Sequence, residues 1–192
     1  MALAADRRLL RGSDLHDVGL SPQLLIKLHQ AGKLQRVFRG VYSLPDAPVT
    51  EHQSLAEVCR RVPKGVVCLL SALRFHEIGT QAPHEVWLAL PESSRTPAVS
   101  FPALRIVRLR GEAYSESIET VMEEGASIRV YSTAKTITDC FKFRHKIGLD
   151  VALEALKDAW QRRLVKMDDL SRFARINRVE RVMQPYLEAL VA

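Results

Sequence analysis

A chain of 192 residues with 47% apolar and 26% charged side chains has the composition of an ordinary folded protein, which excludes disorder and leaves room for one large domain or a small one plus a medium one. Its longest apolar runs, such as Val66-Val67-Cys68-Leu69-Leu70, fall far short of the ~20 residues of a membrane span, so no membrane partner is expected. The formal charge of +6 is uneven: residues 1–46 carry +3, residues 47–141 carry −1 and residues 142–192 carry +4, so both ends favour a polyanionic partner without naming it.

At the N-terminus Asp6, Arg7 and Arg8 interrupt the apolar stretch before it could form a signal-peptide core, and a cytoplasmic location is expected. Ser13 stands as N-cap before a short helix to Val18, and Gly19 supplies the left-handed residue that stops it. Ser21-Pro22 restarts a helix at once, with Ser as cap and Pro at the first helical position. Helices joined by so short a turn cross steeply, which predicts a helix-turn-helix.

The second helix, Pro22 to Ala31, divides into two faces. Leu24, Leu25 and Leu28 share one side, while Gln23, Lys27 and Gln30, at i, i+4 and i+7, share the other. Amides read base edges and a lysine meets phosphate, so this polar row has the character of a recognition face. Gly32 closes the helix, and Leu34 to Leu44 predicts two short strands with a tight turn at Arg39-Gly40, a wing. The candidate DNA-binding residues are therefore Ser21, Gln23, Lys27, Gln30, Lys33, Arg36 and Arg39. The competing reading is a packing module with solvated charges; the order of elements and the basic wing favour DNA.

Pro45-Asp46-Ala47-Pro48 makes a stiff connector and sets the expected boundary between a winged helix-turn-helix domain, residues 1–46, and an α/β domain, residues 47–192. Thr50 and Gln53 suggest a capping box for a helix through Arg61, with Leu55, Val58 and Cys59 buried. Val66 to Leu70 predicts a buried strand, with Ser71 capping the following helix to His76 or Glu77. Strands at Glu85–Leu90, Leu104–Leu109 and Ile128–Tyr131 follow, with an irregular stretch at Gly111–Glu116 and an exposed proline-rich loop at Pro91–Pro102. Helices then fill the C-terminal part: Thr133–Phe143, Asp150–Arg163, a short one from Asp168 to Ile176, and Val179–Val191, bent or broken near Pro185. Leu149, Leu153, Leu156, Trp160 and Leu164 form the expected core stripe of the second of these. The overall expectation is a mixed α/β (α+β) fold ending in several helices.

Catalytic fingerprints are missing. The chain has no GxxxxGK[ST], GxGxxG or GxSxG, and Ser71 lacks the flanking glycines of a nucleophile elbow. Cys59, Cys68 and Cys140 are odd in number and isolated, and the histidines lack ligand spacing, so no disulfide framework, metal or cofactor is expected. Arg172, Arg175 and Arg178, with Arg162, Arg163 and Lys166 upstream, would form a basic ridge if their helix ran on: a second contact for nucleic acid or for a protein partner, or a solvated face.

The run from Leu15 through Gly19-Leu20-Ser21 and Ala31-Gly32-Lys33-Leu34 to Arg36-Val37-Phe38-Arg39-Gly40-Val41-Tyr42-Ser43-Leu44-Pro45 resembles the N-terminal winged-helix domain of the AbiEi antitoxins of type IV (abortive-infection) toxin-antitoxin systems. The resemblance continues through Ser71-Ala72-Leu73 to Ile78-Gly79, Glu85 to Pro91, and Tyr131 to Arg144. It implies a non-enzymatic antitoxin that represses its own operon, binds operator DNA at inverted repeats, and counters a nucleotidyltransferase-like toxin as functional counterpart. Only about a dozen residues precede Ser13, so the first helix of such a domain is expected to be short or partly missing. Two alternatives stand beside it: a metal-dependent nuclease with a winged-helix targeting domain, and a plain transcription factor with a ligand-sensing C-terminal domain.

Overall fold

The computed structural model describes residues 10–38, 40–45, 52–99, 102–123 and 126–191. It is a mixed α+β fold with two sheets, and several helices close its C-terminal part.

The smaller sheet holds β1 (Leu10–Arg11), β2 (Gln35–Phe38) and β3 (Val41–Ser43) in the order β1-β3-β2, with both pairings antiparallel. Between β1 and β2 lie α1 (Gly12–His16) and α2 (Gln23–Gln30). Gly19, at φ +75°, makes the left-handed turn after α1 that a side chain would strain. Leu10, Leu15, Leu25, Leu34 and Tyr42 form a small core, with Leu24, Leu28 and Leu44 packed on its edge. The short strand β1 was not expected from the sequence: two residues carry no periodicity, and pairing with β3 alone defines it. Residues 1–9, where a first helix was expected to be short or missing, lie outside the described residues.

The larger sheet runs β6-β5-β4-β8-β7, built from β4 (Val66–Val67), β5 (Val86–Pro91), β6 (Leu104–Leu109), β7 (Ile118–Glu123) and β8 (Ala126–Tyr131). β4 pairs parallel with β8 and antiparallel with β5; β5–β6 is parallel and β7–β8 antiparallel. Strand alternation sends Trp87 and Ala89 to one face, and Val86, Leu88 and Leu90 to the other. The second face is covered by α3 (Gln53–Arg61) through Leu55, Val58 and Cys59. The first is covered by α4 (Leu69–Phe75), α6 (Thr133–Lys142), α8 (Leu149–Gln161), α9 (Met167–Asn177) and α10 (Glu180–Val191). Burial on both faces explains why the central strands β4 and β5 read as near-continuous apolar runs. Gly65, just before β4, is pressed against Leu88 so closely that a Cβ would meet its side chain at 2.5 Å.

Several expectations are corrected. The strand expected over Val66–Leu70 is two residues long, because α4 begins at Leu69 with Cys68 as its cap residue. Ser71 is therefore not the cap but a buried residue within α4, whose hydroxyl accepts from Trp87 N at 2.9 Å and ties helix to strand. The helix through Arg61 has His52 at its cap position without a side-chain cap; Thr50 lies outside the described residues. The irregular stretch contains one helical turn, α5 (Glu112–Ser115), and leads into β7. The leucine stripe of α8 is rotated: Val151, Ala152, Ala155, Leu156 and Ala159 are buried, while Leu149 and Leu164 are exposed. Alanines let α8 lie close against α6, and close approach outweighs side-chain size there. A further short helix, α7 (Arg144–Ile147), ends at Gly148, and α10 contains Pro185 within one continuous helix.

Candidate nucleic-acid interface

The polar row depends on what lies beneath it. Leu25 is 2% exposed in the small core and fixes the rotation of α2, so residues two before, two after and five after it turn outward. Gln23, Lys27 and Gln30 are all exposed, as the row requires. His29 is held differently, its Nδ1 3.0 Å from the Leu34 carbonyl and its ring 5.7 Å from that of Tyr42. That contact links the end of α2 to the hairpin.

Ser21 is exposed but sits one residue before the cap position, which Pro22 occupies; Gln23 N donates to its hydroxyl at 3.4 Å, a long bond. Lys33 and Arg36 are exposed, on the turn before β2 and on β2. Arg39 lies outside the described residues, while Gly40 beside it has φ +78°, which suits a tight turn. The hairpin carries a register shift between Arg36 and Phe38. Gln35 turns back, its amide donating to Ser43 Oγ at 3.1 Å and the Leu44 carbonyl at 3.3 Å.

Ion pairs that the sequence did not reveal anchor this unit. Asp14 accepts from Arg11 N at 2.9 Å and lies 3.7 Å from the Arg60 guanidinium on α3. Glu57, fully buried on α3, is paired with Arg11 and, at 2.5 Å, with Arg61. The i, i+4 spacing of Glu57 and Arg61 was available in the sequence; the long-range partner Arg11 was not. Val18, Leu20 and Ile26 are exposed apolar residues on and between α1 and α2.

The C-terminal cations do not share one row. Arg162 donates to the Glu77 carbonyl at 2.6 Å and to Asp158 at 3.2 Å; Arg163, at φ 55°, and Lys166 are exposed in the link to α9. Arg172 pairs with Glu116 and lies 4.9 Å from the Phe173 ring, and Arg175 is exposed one turn on. α9 stops at Asn177, so Arg178 takes the left-handed cap conformation and enters a different cleft. Among the described residues, no group of three or more His, Cys, Asp or Glu side chains is placed to hold a metal ion, and no helix is long and apolar enough to cross a membrane.

Comparison with known proteins bears on both units. Residues 1–45 match the family model described as a transcriptional regulator, AbiEi antitoxin. No curated protein matches the chain. Among solved structures, that of the RV2827C protein from Mycobacterium tuberculosis is similar, with a TM-score of 0.63 and 15% identity, covering 91% of this chain and 69% of that one. At that identity the likeness is one of fold. The family match supports an AbiEi-type, antitoxin-like transcriptional regulator for the N-terminal unit.

Proposed function

We propose, from the AbiEi match of residues 1–45, that this protein is a non-enzymatic, cytoplasmic antitoxin of a type IV system that represses its own operon. The N-terminal unit acts as a winged helix, laying α2 in a major groove of operator DNA with the β2–β3 hairpin against the flanking backbone. The C-terminal α/β unit counters a nucleotidyltransferase-like toxin, the functional counterpart in abortive infection.

The observation that carries this reading is the outward row of Gln23, Lys27 and Gln30 over a helix locked by Leu25. Two amides and a cation on one exposed helical face fit base edges and phosphate, and Lys33 and Arg36 add charge on the way to the hairpin. The net +3 of residues 1–46 agrees in sign.

Two measurements on the full chain test it. Co-expression with the toxin encoded beside it restores growth, and the purified protein retards its own promoter fragment ahead of a scrambled duplex of equal length. Loss of growth rescue removes the antitoxin role; equal retardation of both duplexes removes the operator.

A further inference from the structure

At one edge of the C-terminal unit, α5, α6 and α9 meet the ends of β5 and β6 around a cleft of about 550 Å3, within the range of small-molecule sites. Three cations from three elements converge on it: Arg110 just past β6, Lys142 at the end of α6 and Arg178 at the end of α9. Among the described residues none of the three is in an ion pair. A fourth, Arg108, is tied back to the Pro91 and Ser94 carbonyls and to Thr96, and two carboxylates, Glu92 and Glu112, stand on the rim. Burial holds the Lys142 ammonium below its usual range; Asp139 opposes this, while Lys135, Arg178 and Arg110 push the same way. Like charges gathered with no carboxylate among the described residues at ion-pair distance from any of the three mark a place that an anion would relieve.

The wall of the cleft supplies a second, independent requirement. Asn177 is 3% exposed, and its amide nitrogen donates to Asp139 at 2.7 Å and to Thr138 at 3.0 Å, behind the wall. That fixes the amide orientation, since a carboxylate accepts only. The Asn177 Oδ1 is thereby turned away from the ion pair, and it is buried without a hydrogen-bond partner. An orphan acceptor needs a donor, which the fully ionised phosphate group of an ester does not itself provide.

We propose that this cleft binds a small phosphate ester whose carbon skeleton carries a hydroxyl, the class of sugar phosphates and nucleoside monophosphates. Arg110, Lys142 and Arg178 hold the phosphate, and the Asn177 Oδ1 accepts from the hydroxyl. A phosphate ester brings close to two negative charges and three acceptor oxygens to three cations. The DNA backbone fits less well, because it has no 2′-hydroxyl to donate to Asn177. The site does not depend on the DNA-binding reading, and either can fail without the other.

Arg178 offers a clean variant. It has φ 58°, where glycine is the usual residue, so Arg178→Gly removes a cation while relieving the backbone. The full-length protein is titrated calorimetrically with ribose 5-phosphate and the four nucleoside monophosphates, against ribose, inorganic phosphate and a duplex. Ribose 5-phosphate or a nucleotide binds at least about tenfold more tightly than inorganic phosphate, and ribose does not bind. Arg178→Gly and Arg110→Ala each weaken that binding about fivefold or more, with the ligand-free melting temperature of Arg178→Gly unchanged or raised. The proposal is overturned if no phosphate ester binds up to about 10 mM, if inorganic phosphate binds equally well, or if the variants alter only duplex binding.

Discussion

Gln23 and Lys27 stand one turn apart on the same exposed face of α2, yet they answer to different physics. An amide pairs with two edge groups of one base, whereas a lysine is a mobile point charge that meets phosphate whatever the sequence. Gln23→Ala is therefore expected to cost ~1–3 kcal/mol at one operator position and little on other duplexes. Lys27→Ala weakens all duplexes alike and lowers the slope of log affinity against log salt by about one. Mobility shifts at several salt concentrations separate the two; an unchanged slope for Lys27→Ala takes that residue off the backbone. The exposure of both was legible because helical spacing alone places them on the face opposite Leu24, Leu25 and Leu28. Glu57 was not: a carboxylate among Leu55, Ala56 and Val58 reads as solvent-facing until Arg11, 46 residues away, covers it.

At the scale of elements, α6 shows how burial can hide inside a helical pattern. Lys135 and Asp139 are i, i+4 partners, 2.5 and 2.6 Å apart, and such a pair is usually a surface feature. Here both are buried between α6 and α9, with Asn177 of α9 bonded to Asp139 and the Lys135 Nζ 4.4 Å from the Tyr131 ring centre. Removing one partner strands the other, so Lys135→Met is expected to cost about 3–5 kcal/mol at neutral pH. Burial already pushes the Asp139 carboxyl above its ordinary value, with Lys135 and Asn177 holding it down. Without Lys135 the rise is larger. A raised carboxyl stabilises most below its unfolded value and loses that contribution as pH climbs, so the deficit shrinks towards pH ~4. Urea unfolding of both proteins at the two pH values checks it, and an equal deficit at both rejects the account. Where a helical pattern is long, as over α6 and α8, the sequence placed the element to within two residues at either end. It failed where only tertiary pairing decides. β4 is two residues of an apolar run that suits strand or helix, and β7 is an edge strand too polar to stand out, with Glu119, Thr120, Val121 and Met122 exposed.

Across the whole molecule the two units have separate cores, one around Leu25 and one on each face of the larger sheet, and charged contacts join them. Arg11 with Glu57 and Asp14 with Arg60 cross between the units, so dividing the chain at the proline connector strips Arg11 from Glu57 and leaves it Arg61 alone of its two cations. The larger core also links stability to alkaline pH. Cys68, Cys140 and Tyr131 are fully buried, Cys59 nearly so, and burial raises all four protonation equilibria above ordinary values of 9.0 for the thiols and 10.0 for the phenol. Nearby Asp139 adds to the rise at Cys68, Cys140 and Tyr131. The folded protein thus keeps protons that the unfolded chain releases, and the stability this provides is complete below pH ~9 and lost as pH climbs. Each thiol contributes a fall of ~1.4 kcal/mol per pH unit once its unfolded form ionises. Cys140→Ala removes one such proton, and its stability should decline less steeply between pH ~9 and ~10.5 than that of the parent chain, by about one proton's slope. Denaturant unfolding across that range measures both slopes, and parallel curves would mean that the Cys140 thiol ionises as readily in the folded core as in water.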